Sequence, residues 1–474
     1  MALAILLGTV AAAPADASKA EWSIFEDGRY LALADTQTRQ GTLDQIKALG
    51  ADTLRVGVGW EQVAPDPGAR QMPAFDATDP GAYPGFGPFD DLVVRAKAMG
   101  FRVLITLAPA APRWATGGGR GGNYKVNSTK FADFARAVGK RYSGNYAGLP
   151  AVYHWSLWNE PSHALFLKPR EFAPRIYRRM VERGLPALRS KIASGAKVFV
   201  GELAPVGTDT KVIGPLAFLR KWLCLDPAYR PLRGRRATVA GCKNFKKVEA
   251  DGFAHHPYGA QAGNTHPPKG RDIVNISVIG RLSSALDKAA RAGRLPVRLP
   301  IYSTEFGFQS HPPDPFVGIS LQAQARLINT AEEISYRNSR VRSYSQYLLY
   351  DDPARAGSAA VKWSGFQTGL RLVGGVRKPS FDAYRLPLVV REVRGGVTVW
   401  GRVRPSGGSR LVQLQRRSAG GFVDVGAPFP TDSFGYFRVK RSARASYRFI
   451  GFVTDAATGQ EVQVGMSRTA KPQL

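Results

Sequence analysis

Between residues 22 and 387 the chain alternates short apolar runs with amphipathic helical stretches, and this alternation restricts its fold more than any other feature. Apolar and β-branched runs of this length, separated by helical patterns, are typical of βα units around a parallel sheet. The predicted strands are Tyr30–Leu33, Thr53–Val58, Arg102–Leu107, Val152–Leu157, Lys197–Val200, Gly252–His255, Pro300–Thr304 and Ser343–Leu349. The predicted helices are Leu43–Leu49, Phe89–Met99, Phe131–Tyr142, Ile279–Ala292 and Leu321–Arg337. Eight strands with seven crossovers is the count of a (β/α)8 barrel.

Beyond residue 387 the pattern changes to short runs, several of them alternating, that are separated by turns rich in Gly and Ser. Such spacing predicts a second, all-β domain over residues 388–474, a β-sandwich of immunoglobulin-like or fibronectin-like type. Its predicted strands are Leu388–Val393, Val397–Val403, Arg410–Gln415, Phe422–Val425, Tyr436–Val439, Ser446–Phe452 and Glu461–Gly465.

Two of the predicted barrel strands end abruptly in a glutamate, Glu160 after the fourth and Glu305 after the seventh. A carboxylate is costly to bury at such a place unless it is hydrogen-bonded or needed there. Because the carboxyl ends of barrel strands line one mouth, the fold should bring the two side chains face to face. A facing pair of carboxylates suits acid/base and nucleophilic chemistry on sugars. The alternative is that both glutamates are structural partners of barrel arginines.

The motifs around these glutamates, Asn159-Glu160-Pro161 and Thr304-Glu305-Phe306-Gly307, resemble those of the clan A retaining glycoside hydrolases. The resemblance spans most of the first domain. It implies that Glu160 is the general acid/base and that Glu305 is the nucleophile of a double displacement. It also implies that Asn159 hydrogen-bonds the 2-hydroxyl of the sugar. No cofactor is expected, because this chemistry needs none.

Three further positions match members of this clan. The resemblance implies that Arg55, on the second strand, pairs with Glu305 and keeps it ionised by opposite charge. After the sixth strand, Tyr258 would donate its hydroxyl to Glu305, and His256 would brace the site or touch the substrate. The alternative for Arg55 is an arginine that belongs to a barrel layer. The alternative for His256 and Tyr258 is a capped turn with packed aromatics. No metal is predicted, because no third ligand is apparent beside these residues.

Two tryptophans near strand ends, Trp114 and Trp363, are predicted to stack on the apolar face of a sugar. Trp114 lies in the Pro-rich segment after the third strand, and Trp363 lies in the loop after the eighth. Both could equally anchor loops within the core. Clan members usually place a tryptophan at the end of strand eight, where this chain has Gln346-Tyr347.

The chain is strongly basic, with 66 Lys and Arg against 36 Asp and Glu, a net charge of +30. One interpretation is an arginine-rich solvated surface, and the other is attraction to anionic cell-wall polymers. No run of basic residues interleaved with aromatics stands out, which disfavours specific nucleic-acid binding.

Residues 1–17 resemble a secretory signal peptide, because an apolar stretch of small residues precedes the pattern Ala15-Asp16-Ala17. The alternative is a buried N-terminal segment. If the protein is exported, Cys224 and Cys242 are expected to form a disulfide, and otherwise they are two free thiols. No transmembrane span is predicted.

Together these features predict a secreted retaining glycoside hydrolase that acts on a polysaccharide or oligosaccharide. The alternative function is binding of cell-wall or anionic glycans by a barrel that has lost its activity.

Overall fold

The computed structural model describes residues 20–208, 210–259, 268–405, 410–455 and 458–473. The predicted signal peptide, residues 1–17, lies outside these ranges. Within them, every helix is too short or too polar to cross a membrane.

Eight parallel strands form a single sheet in the order β8-β1-β2-β3-β4-β5-β6-β7. They are β1 Trp22–Glu26, β2 Thr53–Gly59, β3 Arg102–Ala108, β4 His154–Leu157, β5 Lys197–Leu203, β6 Gly252–His255, β7 Ile301–Ser303 and β8 Ser343–Tyr347. The ends of the sheet meet where the amide of Arg342 donates to the carbonyl of Ile301 across 2.8 Å. The predicted (β/α)8 barrel is therefore confirmed.

Seven helices of eight residues or more surround this sheet in the described part of the chain. They are α1 Thr36–Ala48, α2 Gly87–Ala98, α3 Ser128–Arg141, α4 Ala173–Arg189, α5 Pro215–Trp222, α6 Gly280–Arg291 and α7 Leu321–Tyr336. Shorter helices are Trp60–Val63, Gly234–Val239, Ala359–Lys362 and Pro379–Arg385. Their apolar faces and the outer face of the sheet share one large core.

The prediction of the first strand as Tyr30–Leu33 is wrong. The strand is Trp22–Glu26, and residues 30–33 form a turn in which the Leu33 side chain is 65% exposed. The true strand is less apolar than the predicted one because it ends in Glu26. That carboxylate can lie inside the barrel because the guanidinium of Arg55 pairs with it.

The C-terminal domain consists of two packed sheets, which confirms the predicted all-β sandwich. Its main strands are β9 Leu388–Val393, β10 Gly396–Arg402, β11 Leu411–Ser418, β12 Gly421–Asp424, β13 Tyr436–Arg441, β14 Tyr447–Thr454 and β15 Glu461–Met466. One sheet contains β13, β10 and β9, and the other contains β12, β11, β14 and β15. Side chains from both sheets form a separate apolar core.

A buried cluster of charged and aromatic side chains joins the sandwich to the barrel. Arg404 of the sandwich pairs with Glu332 on α7, and its Nε donates to Ser23 Oγ at 3.2 Å. Trp400 and Tyr436 are buried against Tyr336 at the end of α7. Because Ser23 lies near the N-terminal end of β1, the sandwich packs away from the carboxyl ends of the strands.

An insertion between α5 and β6 carries both cysteines. Cys224 and Cys242 form a disulfide across a separation of 18 residues. Both residues are buried in a small cluster with Ala237. The disulfide therefore closes this insertion into a compact unit beside the barrel.

Candidate active site

The end of β4 is fixed by a buried tryptophan. The amide of Trp158 donates to the carbonyl of Leu107 on β3, and its indole Nε1 donates to the carbonyl of Phe166, both at 2.9 Å. The backbone is left-handed at Trp158 (φ 68°) and at Glu160 (φ 39°). Strained conformations of this kind are held only where the surroundings impose them, and they are concentrated at functional sites. The turn presents Asn159 and Glu160 to the barrel mouth.

Glu160 and Glu305 converge in this mouth. One carboxylate oxygen of Glu160 lies within 4.8 Å of one of Glu305. Their side chains are 14% and 11% exposed, so both remain open to a small molecule. Glu305 lies two residues after the end of β7, and Glu160 lies three residues after the end of β4. Equivalent positions at two strand ends thus bring the two predicted carboxylates together.

Glu305 receives a hydrogen bond on each carboxylate oxygen. Arg55 Nη1 donates to Oε1 at 2.7 Å, and the Tyr258 hydroxyl donates to Oε2 at 3.1 Å. Burial and the negative charge of Glu305 raise the pKa of Tyr258 well above its usual range, so this hydroxyl remains a donor. Arg55 Nη2 also donates to Asn159 Oδ1 at 2.7 Å. Because the Oδ1 atom of Asn159 accepts this bond, the donor group of the same side chain is Nδ2.

Arg55 is the central cation of a buried carboxylate cluster. It pairs with Glu26 and Glu305, and its Nη2 lies 3.4 Å from Glu202 Oε2. Burial alone would lower the pKa of Arg55, but the carboxylates of Glu202, Glu26 and Glu305 raise it well above its usual range. Burial raises the pKa of Glu26 to about 7, against the opposing charge of Arg55. The site therefore concentrates negative charge around one permanent cation.

Glu202, which is fully buried at the end of β5, was not predicted from sequence. A register shift against β6 between Gly201 and Leu203 marks a bulge, and Glu202 within it has a left-handed backbone (φ 48°). Bulges of this type redirect a side chain. Glu202 Oε2 accepts hydrogen bonds from His256 Nε2 and from Thr304 Oγ1, each at 2.6 Å.

His256 lies between two carboxylates. Its Nδ1 is 3.0 Å from Glu160 Oε1, its Nε2 is 2.6 Å from Glu202 Oε2, and its Nδ1 is 3.6 Å from Glu305 Oε2. Burial alone would lower the pKa of His256, but the charge of Glu305 and the bonds to Glu160 and Glu202 raise it to about 10. Burial alone would raise the pKa of Glu202, but the charge of Arg55 and the hydrogen bond from His256 lower it to about 2.

From sequence, no third metal ligand was apparent beside these residues. The structure shows that a third side chain with a suitable atom does lie nearby. Glu160, His256 and Glu305 each offer one ligand atom, and the three atoms lie within 4.8 Å of one another. A histidine ligates a metal only through an unprotonated nitrogen. Both nitrogens of His256 face carboxylates, and the adjacent Arg55 already supplies a positive charge to Glu305. These residues therefore form a network of hydrogen bonds and ion pairs.

Trp114, one of the two predicted sugar platforms, is part of the core. Its side chain is 3% exposed, and its indole Nε1 donates to the carbonyl of Pro65. The ring packs edge-on against Trp60 and Phe75. The alternative raised from sequence, that this tryptophan anchors a loop, describes its position better than sugar stacking.

The loop after β8 brings a further aromatic ring, that of Phe366, to the site. Its side chain is 41% exposed, and its ring lies 6.4 Å from that of Tyr258 and 5.1 Å from that of Tyr347. Trp363 is half-buried and has Lys362 Nζ 5.4 Å from its ring. Phe366 is therefore the exposed aromatic that adjoins the hydrogen-bonding partner of Glu305.

Solved structures of similar fold are glycosidases. A glucosidase from Croceicoccus marinus matches with a TM-score of 0.54 and 12% identity, over 91% of this chain and 94% of that chain. A monomeric β-xylosidase from Caulobacter crescentus CB15 matches with a TM-score of 0.52 and 14% identity, over 92% of this chain and 96% of that chain. No protein-family model and no curated protein sequence matches the chain. The chain thus shares its overall fold with these two glycosidases.

Proposed function

We propose that this protein is a retaining O-glycoside hydrolase that cleaves a polysaccharide or oligosaccharide, with Glu305 as nucleophile and Glu160 as general acid/base. The observation that carries the proposal is the approach of one oxygen of each carboxylate to within 4.8 Å. Retaining glycosidases hold their two carboxyl groups about 5–5.5 Å apart, whereas inverting enzymes leave about 6.5–9.5 Å for a water molecule. The fold shared with glycosidases supports the same reaction class.

In the first step the carboxylate of Glu305 attacks the anomeric carbon. The bond to the leaving oxygen breaks as Glu160 delivers a proton to that oxygen. In the second step Glu160 removes a proton from water, which attacks the same carbon and releases Glu305. Arg55 and Tyr258 orient the nucleophile through their hydrogen bonds, and the Nδ2 group of Asn159 is the donor for the 2-hydroxyl of the sugar.

Export and attraction to anionic cell-wall polymers also belong to this proposal. The disulfide between Cys224 and Cys242 supports export, because such bonds persist in oxidising compartments. The net charge of +30 supports the attraction. Retention on an anionic glycan column that falls steeply between low and physiological salt is the expected behaviour. Salt-independent passage through the column would contradict the attraction.

The decisive experiment is hydrolysis of a panel of aryl glycosides and oligosaccharides, with the product stereochemistry followed by NMR. We expect retention at the anomeric carbon and loss of activity in Glu305→Ala. Glu160→Ala should slow substrates with poor leaving groups far more than activated aryl glycosides, because only the former need a proton donor. The control is Glu61→Ala, which removes an exposed glutamate just after β2 and should leave all rates unchanged.

Two results would overturn the proposal. Inversion at the anomeric carbon would contradict the assignment of Glu305 as nucleophile. Equal and negligible rates of wild type and Glu305→Ala across the whole panel would instead favour the alternative, a catalytically inactive barrel that binds glycans.

A further inference from the structure

Glu202 has no assigned role in the two-carboxylate mechanism, although it is among the most buried charges of the site. It is fully buried, is held by a bulge, and accepts hydrogen bonds from His256 and Thr304 at 2.6 Å. A buried carboxylate is costly unless it is paired and hydrogen-bonded. Its nearest partner, His256, is also the residue that contacts Glu160.

The chemistry of the two contacts of His256 fixes where its protons lie. An ionised carboxylate can only accept hydrogen bonds, so the bond to Glu202 requires a hydrogen on His256 Nε2. The 3.0 Å contact between Nδ1 and Glu160 Oε1 then also needs one hydrogen, on either the ring or the carboxyl group. The pair formed by His256 and Glu160 thus carries one mobile proton. The carboxylate of Glu202 makes the imidazolium form of His256 available, because it neutralises the positive charge of that ring.

We propose that Glu202 is a positioning residue that holds His256 as a proton store for Glu160. In the first step of the reaction a proton moves from His256 Nδ1 to Glu160 and on to the leaving oxygen. In the second step Glu160 takes a proton from water and returns it to Nδ1. Protons and charge balance over the cycle without any further reactant. The inference deepens the proposed function and rests on it for the catalytic steps.

Within the ranges that the structure describes, the charged groups that face His256 are consistent with this role. Glu160, Glu202 and Glu305 approach it from the ends of β4, β5 and β7. Arg55 from β2 is shared between Glu202 and Glu305 and does not contact the ring. Three further titratable groups surround these residues. Glu26 is bound to Arg55, the Tyr258 hydroxyl donates to Glu305, and the neighbouring His255 bonds the carbonyl of Val274 through Nε2.

The test is a nitrogen NMR titration of the histidine rings, which needs no enzyme activity. The chain has six histidines, and the His256 signals are assigned by comparison with His256→Asn. We expect the wild-type ring to remain doubly protonated from pH 5 to about pH 9, in line with its pKa of about 10. In Glu202→Gln the ring should lose its second proton at a clearly lower pH than in the wild type, because only the charge of Glu305 and the bond to Glu160 then oppose the effect of burial.

Thr304→Val is the matched control, because it removes a hydrogen bond to the same carboxylate without removing its charge. In this variant His256 should stay doubly protonated across the same pH range. Thermal melts of all three variants establish that they are folded. If Glu202→Gln does not fold, the wild-type titration alone decides the inference, because a neutral His256 at pH 7 would overturn it.

The kinetic readout separates this inference from the proposed function. Glu202→Gln should lower kcat about tenfold or more on substrates with poor leaving groups and far less on activated aryl glycosides, with the loss growing as the pH rises and His256 of the variant loses its second proton. Equal losses on both substrate classes at every pH would indicate a merely structural role and overturn the inference. A wild type that hydrolyses no glycoside would overturn the proposed function, whatever the histidine titration shows.

Discussion

Glu305 is held by two donors of different kinds, the guanidinium of Arg55 and the hydroxyl of Tyr258. In Tyr258→Phe the donor on Oε2 is lost while the ring remains. A hydrogen bond to a charged group is worth about 1.5–3 kcal/mol, so we expect kcat/KM to fall about ten- to hundredfold. Steady-state kinetics on an aryl glycoside measures the loss.

A suitable control is Tyr142→Phe, which removes another buried hydroxyl that donates to a carboxylate. The Tyr142 hydroxyl donates to Asp90 Oδ1 at 2.9 Å, on the outside of the barrel. This variant should lose stability and keep its rate. Tyr258→Phe with wild-type kinetics would contradict the role given to that hydroxyl.

A second prediction about a single residue concerns the exposed ring of Phe366. Phe366→Ala should raise KM for oligosaccharides about five- to tenfold, because the loss of an aromatic contact costs about 1 kcal/mol. Trp363→Ala should change KM little, since Phe366 is the ring beside Tyr258 and Tyr347. Michaelis curves for both variants on one substrate are the measurement. A larger effect from Trp363→Ala than from Phe366→Ala would instead favour Trp363 as the sugar platform.

Single site residues were predictable from sequence where they directly follow an uninterrupted apolar strand pattern. Glu160 and Glu305 each follow an apolar strand with no interruption. Glu202 follows a similar run, but Gly201 interrupts it, so the strand was predicted to end at Val200. The bulge that turns Glu202 inward is defined by the register with β6, and a single sequence does not show that register.

Strands, too, were predictable where the local apolar pattern is uninterrupted. β6 was predicted at its observed bounds, because Gly252–His255 is buried throughout. The strand β1 was missed because its polar residues are compensated from distant parts of the chain. Ser23 Oγ accepts from Arg404 Nε, and Arg55 neutralises Glu26. Such compensation leaves no signal within the strand itself.

The insertion closed by Cys224 and Cys242 can be tested as an element. Its disulfide spans 18 residues, and a loop of this length is stabilised by about 3 kcal/mol on closure. We expect the double variant Cys224→Ser, Cys242→Ser to melt several degrees lower and to keep its kcat at 25 °C. Calorimetry with and without a reductant is the measurement. Reductant should lower the wild-type melting temperature to that of the double variant and leave the variant unchanged.

At the scale of the whole molecule, the sandwich strands were predictable because their alternation is local, but their docking to the barrel was not. The interface contains Arg402 and Arg404, both fully buried, with Glu332 as their partner. A sequence pattern assigns charged residues to the solvent. Only the assembled molecule shows that these two arginines share one carboxylate partner across the boundary between the domains.

The same interface makes stability depend on pH. Glu21, which is 1% exposed, lies beside Tyr436, whose hydroxyl is 3.4 Å from its Oε2. Burial raises the pKa of Glu21 to about 8, and the nearby charge of Glu332 adds to the rise. Because the folded pKa lies above the unfolded value, this contribution to stability is complete below about pH 4.5. It is lost as the pH rises through 8.

Glu21→Gln therefore mimics the protonated side chain and abolishes its titration. At pH 5 its melting temperature should equal that of the wild type, and at pH 9 it should be several degrees higher, because ionising the buried carboxyl costs a few kcal/mol. Calorimetry at both pH values gives the two differences. Glu392→Gln on the exposed edge of β9 is the control and should show no difference at either pH. A gain for Glu21→Gln of equal size at pH 5 and pH 9 would mean that packing, rather than ionisation, governs this interface.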